Sequence, residues 1–419
     1  VDKAAVYASE ATGMNISVGR ISLSFPLNLV VTNVDAASPH NDTLLSVRRL
    51  QVNVQLLPLL KKQVEVDGIS LQGATVNSND LIHGMKLNGT LGELFISSHG
   101  VALDPETAIV NKVLLKDTDL SLCLNDTAAA DTAASDTTYW KIILQDIDLQ
   151  NVSFALDMPL DSLSLAASLD NAILRDGLID LHKSAYSLQT FRIKNGRVRY
   201  DSGKPLAADS LPSGLDPSHI ALTDIGVKLD SLYYGGRNMK AIISQFVLKE
   251  RSGVEIVSAT GRMVSNDKVL RVPSLKLETR DSYLELNAAM DWNALDFKDE
   301  GLVSARLMAD IGKPDVVRFM GSMDEKFIRQ YPSEPLRIRT GIDGDLNKLK
   351  LTTLTAELPG ALGLFARGEL THLTDSLLRG GDITLEAETK DLKFVSTLAE
   401  GIEIPYGTRL EGKFTMAGT

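Results

Sequence analysis

The sequence predicts a mainly β protein in which one side of a long sheet is apolar. In the clearest stretch, residues 44–76, Leu50, Val52, Val54 and Leu56 alternate with polar residues. Side chains of a strand point to opposite faces with period two, so this segment has one apolar and one polar face. The same alternation returns in short strands along the chain, without a long helical core. What covers the apolar face is therefore the functional question.

The composition limits the classes of partner. The 419 residues are 44% apolar but only 5% aromatic, so the apolar surface is mostly aliphatic. With 43 basic and 54 acidic residues the net charge is −11, which argues against nucleic acid and against tight electrostatic binding to anionic lipid. A single cysteine, Cys123, cannot form an internal disulfide. No apolar run approaches the ~20 residues that span a bilayer. Since neither an initiator Met nor a signal peptide is found, we expect a processed fragment of a longer protein.

The chain is predicted to contain a helix end, a first β region, a low-complexity loop and a longer second β region with two helical parts. Gly13 ends the apolar stripe of the first helix. The loop is rich in Asn, Asp, Thr and Ala and holds too little apolar material to order itself, so we expect it to be disordered. The predicted boundaries are 1–12 for the helix end, 13–124 for the first β region, 125–138 for the loop, 139–419 for the second β region, and 313–330 and 391–400 for the helices.

A weak internal repeat indicates that one strand pattern continues through the chain. Residues 66–76, 144–154 and 188–198 each contain two alternating apolar pairs separated by a Gly or Asn step, and residues 222–229 are a fainter copy. Such a step shifts the alternation by one position, as a turn or bulge does. The unequal intervals between the copies favour an elongating sheet with loops of varying size over a propeller.

The sequence lacks the usual motifs of catalysis and cofactor binding. It has no dinucleotide fingerprint, no Walker A loop, no helical zinc motif and no nucleophile elbow. Residues 343–347 begin like a calcium loop, but Lys348 and Leu354 stand where that loop needs Gly and Glu. The six histidines are scattered. We therefore expect no enzyme activity, no cofactor and no metal site.

Three segments resemble a known family. They are residues 11–34, residues 50–66 and the strand pair that starts at Gly68. Together they resemble the N-terminal periplasmic region of the AsmA-like superfamily, in particular of the TamB-type translocation and assembly module subunits. The most specific part of this resemblance covers residues 1 to about 80. The rest of the chain is similar to the family in its strand pattern only.

The resemblance implies a fold, a location and a set of partners. The implied fold is an elongated, curved, largely antiparallel β-sheet, rolled into an open hydrophobic trough that begins in residues 13–124. The implied partners are phospholipids, the inner membrane through an N-terminal anchor missing from this sequence, and an outer-membrane Omp85-type barrel through a missing C-terminal region. The implied location is the periplasm of a two-membrane bacterium. Proteins of this family are regarded as bridges that carry phospholipids and support outer-membrane biogenesis.

The residue patterns alone leave two other classes of protein open. The apolar faces could pack against each other as a closed β-sandwich or solenoid, which would make the chain a structural protein. An exposed sheet edge could also act as a scaffold for the assembly of outer-membrane barrels. Lipid that co-purifies with the chain would indicate an open trough, whereas a dry, fully packed interior would indicate a sandwich.

The candidate lipid-groove residues are the apolar members of the alternating strands. Alternation places them on one face within each strand, but it does not establish that the faces of different strands coincide. They are Leu50, Val52, Val54, Leu56, Ile69, Leu71, Ile147, Leu149, Phe191, Ile193, Val227, Leu229, Leu275, Leu277, Leu284 and Leu286.

Overall fold

The computed structural model is mainly β, as the sequence predicts. Among the residues that the structure describes, strands account for 72% and helices for 8%, and these strands form one mixed sheet of 21 strands. The chain divides into two compact units: unit 1 is Val1–Ala208 with Ser218–Gly226, and unit 2 is Asp209–Pro217 with Val227–Thr419. The structure describes residues 5–6, 9, 12–25, 28–38, 43–55, 66–78, 84–102, 106–125, 139–204, 214–296, 298, 301–321, 324–397 and 405–416.

Unit 1 is built from ten strands and the first part of an eleventh. Val, Ile, Leu and Thr alternate with polar residues in most of them, which is typical of half-buried strands. The strands are β1 (Asn15–Ser24), β2 (Asn28–Ala37), β3 (Thr43–Val54), β4 (Val66–Asn77), β5 (Met85–Ala102), β6 (Thr107–Leu124), β7 (Lys141–Met158), β8 (Leu163–Asp180), β9 (Ala185–Leu188), β10 (Thr190–Ser202) and β11 (His219–Gly235).

The strands of unit 1 pair in the order of the sequence, and nearly all pairs are antiparallel. From β1 to β6 each strand is antiparallel to the next. The exception is β6 with β7, which are parallel, so that Thr107 pairs with Lys141 and Cys123 with Asp157. On its other side β7 pairs with β8, and β8 pairs in turn with β9 and β10.

Two of the predicted regions fall largely outside the described residues. Of the predicted loop 125–138, only Asn125 is described. The described residues of the predicted helix end 1–12 have helical backbone, and they are Ala5, Val6, Ser9 and Thr12.

Unit 2 contains the rest of β11, ten further strands and three short helices. The described pairs from β12 to β21 are all antiparallel. The elements are β12 (Asn238–Glu250), β13 (Glu255–Ser265), β14 (Val269–Thr279), β15 (Ser282–Asp291), α1 (Trp292–Leu295), β16 (Leu302–Ile311), α2 (Lys313–Phe319), α3 (Glu325–Gln330), β17 (Leu336–Asp345), β18 (Lys348–Leu358), β19 (Leu362–Thr371), β20 (Gly380–Thr389) and β21 (Arg409–Met416).

The regions that the sequence marks as helical hold short helices. The range 313–330 contains α2 and α3, and Gly321 lies between them in a left-handed conformation with φ of 72°. Pro314 occupies the first turn of α2, where a missing backbone N–H costs nothing. In the range 391–400, Val395–Thr397 forms a 3₁₀ turn, and residues 398–400 lie outside the described part.

A line of left-handed residues crosses the sheet of unit 1. Gly and, less readily, Asn and Asp tolerate this conformation, which most side chains avoid. In mid-strand, φ lies between 49° and 60° at Asn33, Gly73, Asp117, Asn151 and Asn195. The registers place these residues and those opposite them in one continuous line, here called the crease. The crease consists of Gly19, Asn33, Arg48, Gly73, Gly92, Asp117, Asn151, Asp170 and Asn195.

The crease keeps the apolar residues of each strand on one face. A left-handed residue within a strand shifts the alternation by one position, as a bulge does. In β4 the apolar residues before Gly73 are Ile69 and Leu71, and those after it are Ala74 and Val76. Without the shift, the two halves of β4 would present apolar side chains to opposite faces. The Gly or Asn step predicted from the internal repeat is therefore confirmed.

Neighbouring residues of the crease are in close contact. Asn151 Nδ2 donates a hydrogen bond to Asp117 Oδ1 at 2.9 Å, and the amide of Asn195 donates to the carboxylate of Asp170. A Cβ atom added to Gly73 would lie 2.7 Å from Nη2 of Arg48. The crease thus combines a special backbone conformation with tight side-chain packing.

Three aromatic residues of unit 2 pack against each other. The rings of Phe327, Tyr331 and Phe394 lie with centroids 5.1 to 5.8 Å apart. They belong to a buried cluster that includes Leu358, at the end of β18, and Leu336 packs against it from β17. Phe327 is only 1% exposed, and burial raises the pKa of the Tyr331 phenol. This part of unit 2 is a closed hydrophobic core.

A buried carboxylate fixes α2 to the hairpin of β14 and β15. Asp315 is 1% exposed, and its Oδ2 atom accepts hydrogen bonds from the hydroxyls of Thr279 and Ser282. Its Oδ1 atom accepts one from Nη1 of Arg318 at 3.1 Å. Both carboxylate oxygens are therefore paired, which is the condition for burying a charge without a large penalty.

We expect Gly73→Ala to lower the free energy of unfolding by about 1–2 kcal/mol, because alanine disfavours the left-handed conformation and its Cβ would displace Arg48. Urea unfolding followed by circular dichroism measures this change. The matched control is Gly363→Ala in β19, where an added Cβ meets no atom within 4 Å and φ is not positive. Equal effects of the two substitutions would contradict a conformational role for the crease.

We expect Asp315→Ala to destabilise unit 2 by about 2–4 kcal/mol, because two hydroxyls and Arg318 lose a buried partner. Thermal unfolding checks this value. Glu325→Ala is the control, because it removes an exposed ion pair with Arg329 and should cost less than about 0.5 kcal/mol. A loss at Asp315 as small as that at Glu325 would show that the network does not hold α2.

Candidate functional site

The registers of unit 1 place eight of the sixteen candidate residues in two rows that run across the strands. Residues directly opposite each other in paired strands share a face, so each row lies on one face from β3 to β10. We call them the apolar rows. The first row is Leu50, Leu71, Leu94, Leu115, Leu149, Ala172 and Ile193, and the second is Val52, Ile69, Ile96, Val113, Ile147, Leu174 and Phe191.

The apolar rows bring together eight candidates that lie far apart in the sequence. These eight share one face although they come from four different strands, which alternation alone did not establish. They are Leu50, Val52, Ile69, Leu71, Ile147, Leu149, Phe191 and Ile193.

Four candidates lie apart from the rows or outside the described part. Val54 follows Val52 on β3 and lies opposite Val66 after a register shift. Leu56 lies outside the described residues. Val227 and Leu229 lie on β11, where they alternate with exposed polar residues.

The four candidates on β14 and β15 form one block in unit 2. Leu275 lies opposite Leu286, and Leu277 lies opposite Leu284, so β14 and β15 form a hairpin. On the other side of β15, Leu307 of β16 extends the block. All four candidates are partly exposed.

Sequence reasoning missed the row residues of β5, β6 and β8. In these strands the alternation is hidden, because apolar residues occupy three successive positions, at 94–96, 113–115 and 172–174. The crease is the signal that could have found them. On every strand of the rows, the row residues lie two and four positions away from the crease residue, as Leu115 and Val113 do from Asp117.

The apolar rows are only partly buried. Of their side chains, Ala172 alone is buried, and the larger ones are intermediate or exposed, with Ile69 39% exposed. A closed core buries Leu, Ile and Phe almost completely, as Phe327 shows in unit 2. The rows therefore present an aliphatic surface that the described part of unit 1 does not seal.

The opposite face of unit 1 carries ion pairs and polar hydrogen bonds. Arg175 pairs with Asp146 and, through Nη2, with Asp148 at 3.0 Å. On β3, Gln51 Nε2 donates a hydrogen bond to Asn53 Oδ1 at 2.9 Å. Because charged and amide groups are favourable in water, this face is suited to solvent and the apolar rows are not.

Two clefts lie where β7, β8 and β10 meet. One has a volume of about 370 Å³ and is lined by Phe154, Ala167 and Val198, among others. The other, of about 620 Å³, contains Arg199 and Asp201, whose Nε and Oδ2 atoms are 2.6 Å apart. Asp157 and His219 line this second cleft as well.

The described residues contain no cluster of three or more His, Cys, Asp or Glu side chains suited to holding a metal ion. Within the same residues, no helix has the length and apolar character needed to cross a bilayer. In comparisons with known proteins, no protein-family model matches the chain, and no curated protein is significantly similar to it. The apolar rows and the alternation of apolar and polar residues are therefore the features that bear on function.

We expect Leu149→Asp to leave unit 1 folded and to cost about 1–2 kcal/mol, because the side chain it replaces is already partly in water. The far-ultraviolet circular dichroism spectrum and the unfolding midpoint check this expectation. In the comparison variant Leu358→Asp, a charge enters the closed core of unit 2, and we expect that unit to lose its cooperative unfolding. Global unfolding of unit 1 by Leu149→Asp would instead indicate a sealed sandwich.

Proposed function

We propose that this protein is a periplasmic lipid-transfer bridge. On this proposal it carries phospholipid acyl chains along its apolar face between the inner and outer membranes, and so supports outer-membrane biogenesis. The observation that carries the proposal is the pair of apolar rows, which cross β3 to β10 without a polar residue and are partly exposed. Such a surface favours a hydrocarbon ligand over water.

The energetics of lipid transfer agree with this surface. Moving an acyl chain from a bilayer into water costs ~0.8 kcal/mol per methylene, so a phospholipid crossing alone faces a barrier on the order of 10 kcal/mol. An aliphatic face removes much of that cost because Leu, Val and Ile are as apolar as the lipid tail. The rows hold no polar group that would fix a tail at one position, which favours sliding over tight binding.

The finer parts of the proposal depend on the family resemblance. These parts are an open, curved trough, an inner-membrane anchor before this sequence, an Omp85-type barrel as the outer-membrane partner, and a periplasmic location. The crease supports the trough to the extent that it keeps one apolar face continuous along each strand.

A scaffold for barrel assembly is the second candidate function. The observation that favours it is strand β21, which pairs with β20 and exposes Leu410 and Phe414. A strand with exposed apolar side chains is suited to pairing with a strand of a partner by β-augmentation. This function and lipid transfer could use different parts of the same sheet.

Binding of a fluorescent fatty acid tests the proposed function. We expect Leu71→Asp combined with Ile193→Asp to weaken this binding about tenfold or more, because a charge then enters the first row at its second position and at its last. The matched control combines Gln72→Asp with Lys194→Asp, since these neighbours point to the opposite face. It should bind the probe like the wild-type protein.

Lipid extraction and mass spectrometry of the purified protein provide the second readout, and we expect phospholipid in the wild-type sample. Absence of lipid together with absence of probe binding would overturn the proposal. Crosslinks from β21 to the strands of an outer-membrane barrel, without bound lipid, would favour the scaffold instead.

A further inference from the structure

Two adjacent leucines project into solvent from the turn between β19 and β20. Leu377 is 69% exposed and Leu378 is 60% exposed. Single exposed leucines are common on protein surfaces. Two adjacent leucines that are both more than half exposed form a small apolar patch in contact with solvent. This patch lies outside the apolar rows and has no part in the closed core.

The turn that carries these leucines is held by its own hydrogen bonds. Oδ1 of Asp375 accepts from the backbone N–H of Leu377 at 2.8 Å and of Leu378 at 3.3 Å. Its backbone oxygen accepts from the N–H of Arg379 at 2.9 Å, and Nη2 of Arg379 donates to the oxygen of Leu373 at 3.0 Å. The exposed leucines are therefore presented by an ordered turn.

The same end of the unit 2 sheet carries other groups suited to a membrane interface. In an antiparallel sheet the turn after β15 lies at the same end as the turn after β19, and it exposes Leu295 and Leu302. Trp292 begins this turn, with the guanidinium of Arg237 5.3 Å from its ring centroid. We call this end of the sheet, with the described residues 292–296, 298, 301–302 and 372–379, the turn rim.

We propose that the turn rim docks on the surface of a lipid bilayer. Projecting leucines suit a fluid phase that can close around each of them, and aromatic and basic side chains are favoured at headgroup depth. Lys348, which begins the strand β18 at this rim, is 70% exposed, and its ammonium group pairs with the carboxylate of Glu369 at 3.1 Å. The occupant is thus a membrane, whereas a rigid protein partner would need one continuous complementary patch.

The docking would connect the bilayer with the apolar face. Leu349 and Leu370 lie opposite each other just inside the turn rim, and both are partly buried. An acyl chain that leaves the bilayer at the leucines of the turn would therefore meet further aliphatic side chains. This inference rests on the proposed function, and it names the place where lipid would enter or leave unit 2.

Flotation of the full chain with phosphatidylcholine vesicles tests the inference, because neutral vesicles report insertion of apolar groups without a net lipid charge. We expect the double variant Leu377→Ser with Leu378→Ser to reduce the vesicle-bound fraction about tenfold or more. The matched control is Leu160→Ser with Tyr406→Ser, which removes two exposed apolar side chains that do not belong to the turn rim. It should float like the wild-type protein.

Fatty-acid binding in solution separates this inference from the proposed function. If the double variant binds the fluorescent fatty acid normally but no longer floats, the turn rim is the docking site.

Undiminished flotation of the double variant, equal loss of flotation in the control variant, or a wild-type protein that does not float would overturn the inference. So would a change of the double variant to a smaller oligomer by light scattering with flotation unchanged, since the leucines would then contact a second copy. Failure of the wild-type protein to bind the fluorescent fatty acid would instead overturn the proposed function.

Discussion

The reversal of side-chain alternation at the crease is the constraint on which unit 1 depends. Hydrogen-bonded strands force opposite residues onto the same face, so a reversal in one strand must be matched in each neighbour. Asn33, Gly73, Asp117, Asn151 and Asn195 provide the left-handed backbone for it on strands that run in one direction. A strand without the reversal would have to slip by one residue or turn half of its apolar side chains to the polar face. At these five positions the left-handed backbone conformation therefore restricts the residue type to Gly, Asn or Asp.

The two units are stabilised in different ways. In unit 2, Phe327, Tyr331 and Phe394 form a closed aromatic core, and Asp315 ties α2 to a hairpin. The described part of unit 1 has no comparable cluster of buried aromatic residues, and the large aliphatic side chains of its apolar rows remain partly exposed. Its stability must come mainly from the hydrogen-bonded ladders between long strands and from partial burial within a row. Substitutions that disturb the backbone should matter more in unit 1, and substitutions of core side chains should matter more in unit 2.

The sequence was sufficient to predict the strands with strict alternation and the step that reverses it. It could not establish which strands pair, because pairing depends on contacts between residues far apart in the chain. The parallel pair of β6 and β7 shows this, since nothing in either strand marks its neighbour's direction. It also missed the rows in β5, β6 and β8, where a third apolar residue, such as Leu114 between Val113 and Leu115, hides the period. Local pattern thus predicted the faces, and only the register showed that they coincide.

The chemistry of the apolar rows favours passage of a ligand over its retention. Aromatic rings or a buried polar group would create a preferred position for a lipid tail, and a ligand would then dwell there. Thirteen of the fourteen row positions are Leu, Ile, Val or Ala, and the one aromatic residue, Phe191, lies at the end of the second row. Neighbouring positions along a row therefore offer a hydrocarbon chain nearly the same environment. A tail that moves by one strand exchanges one aliphatic contact for another, so the free energy changes little with each step.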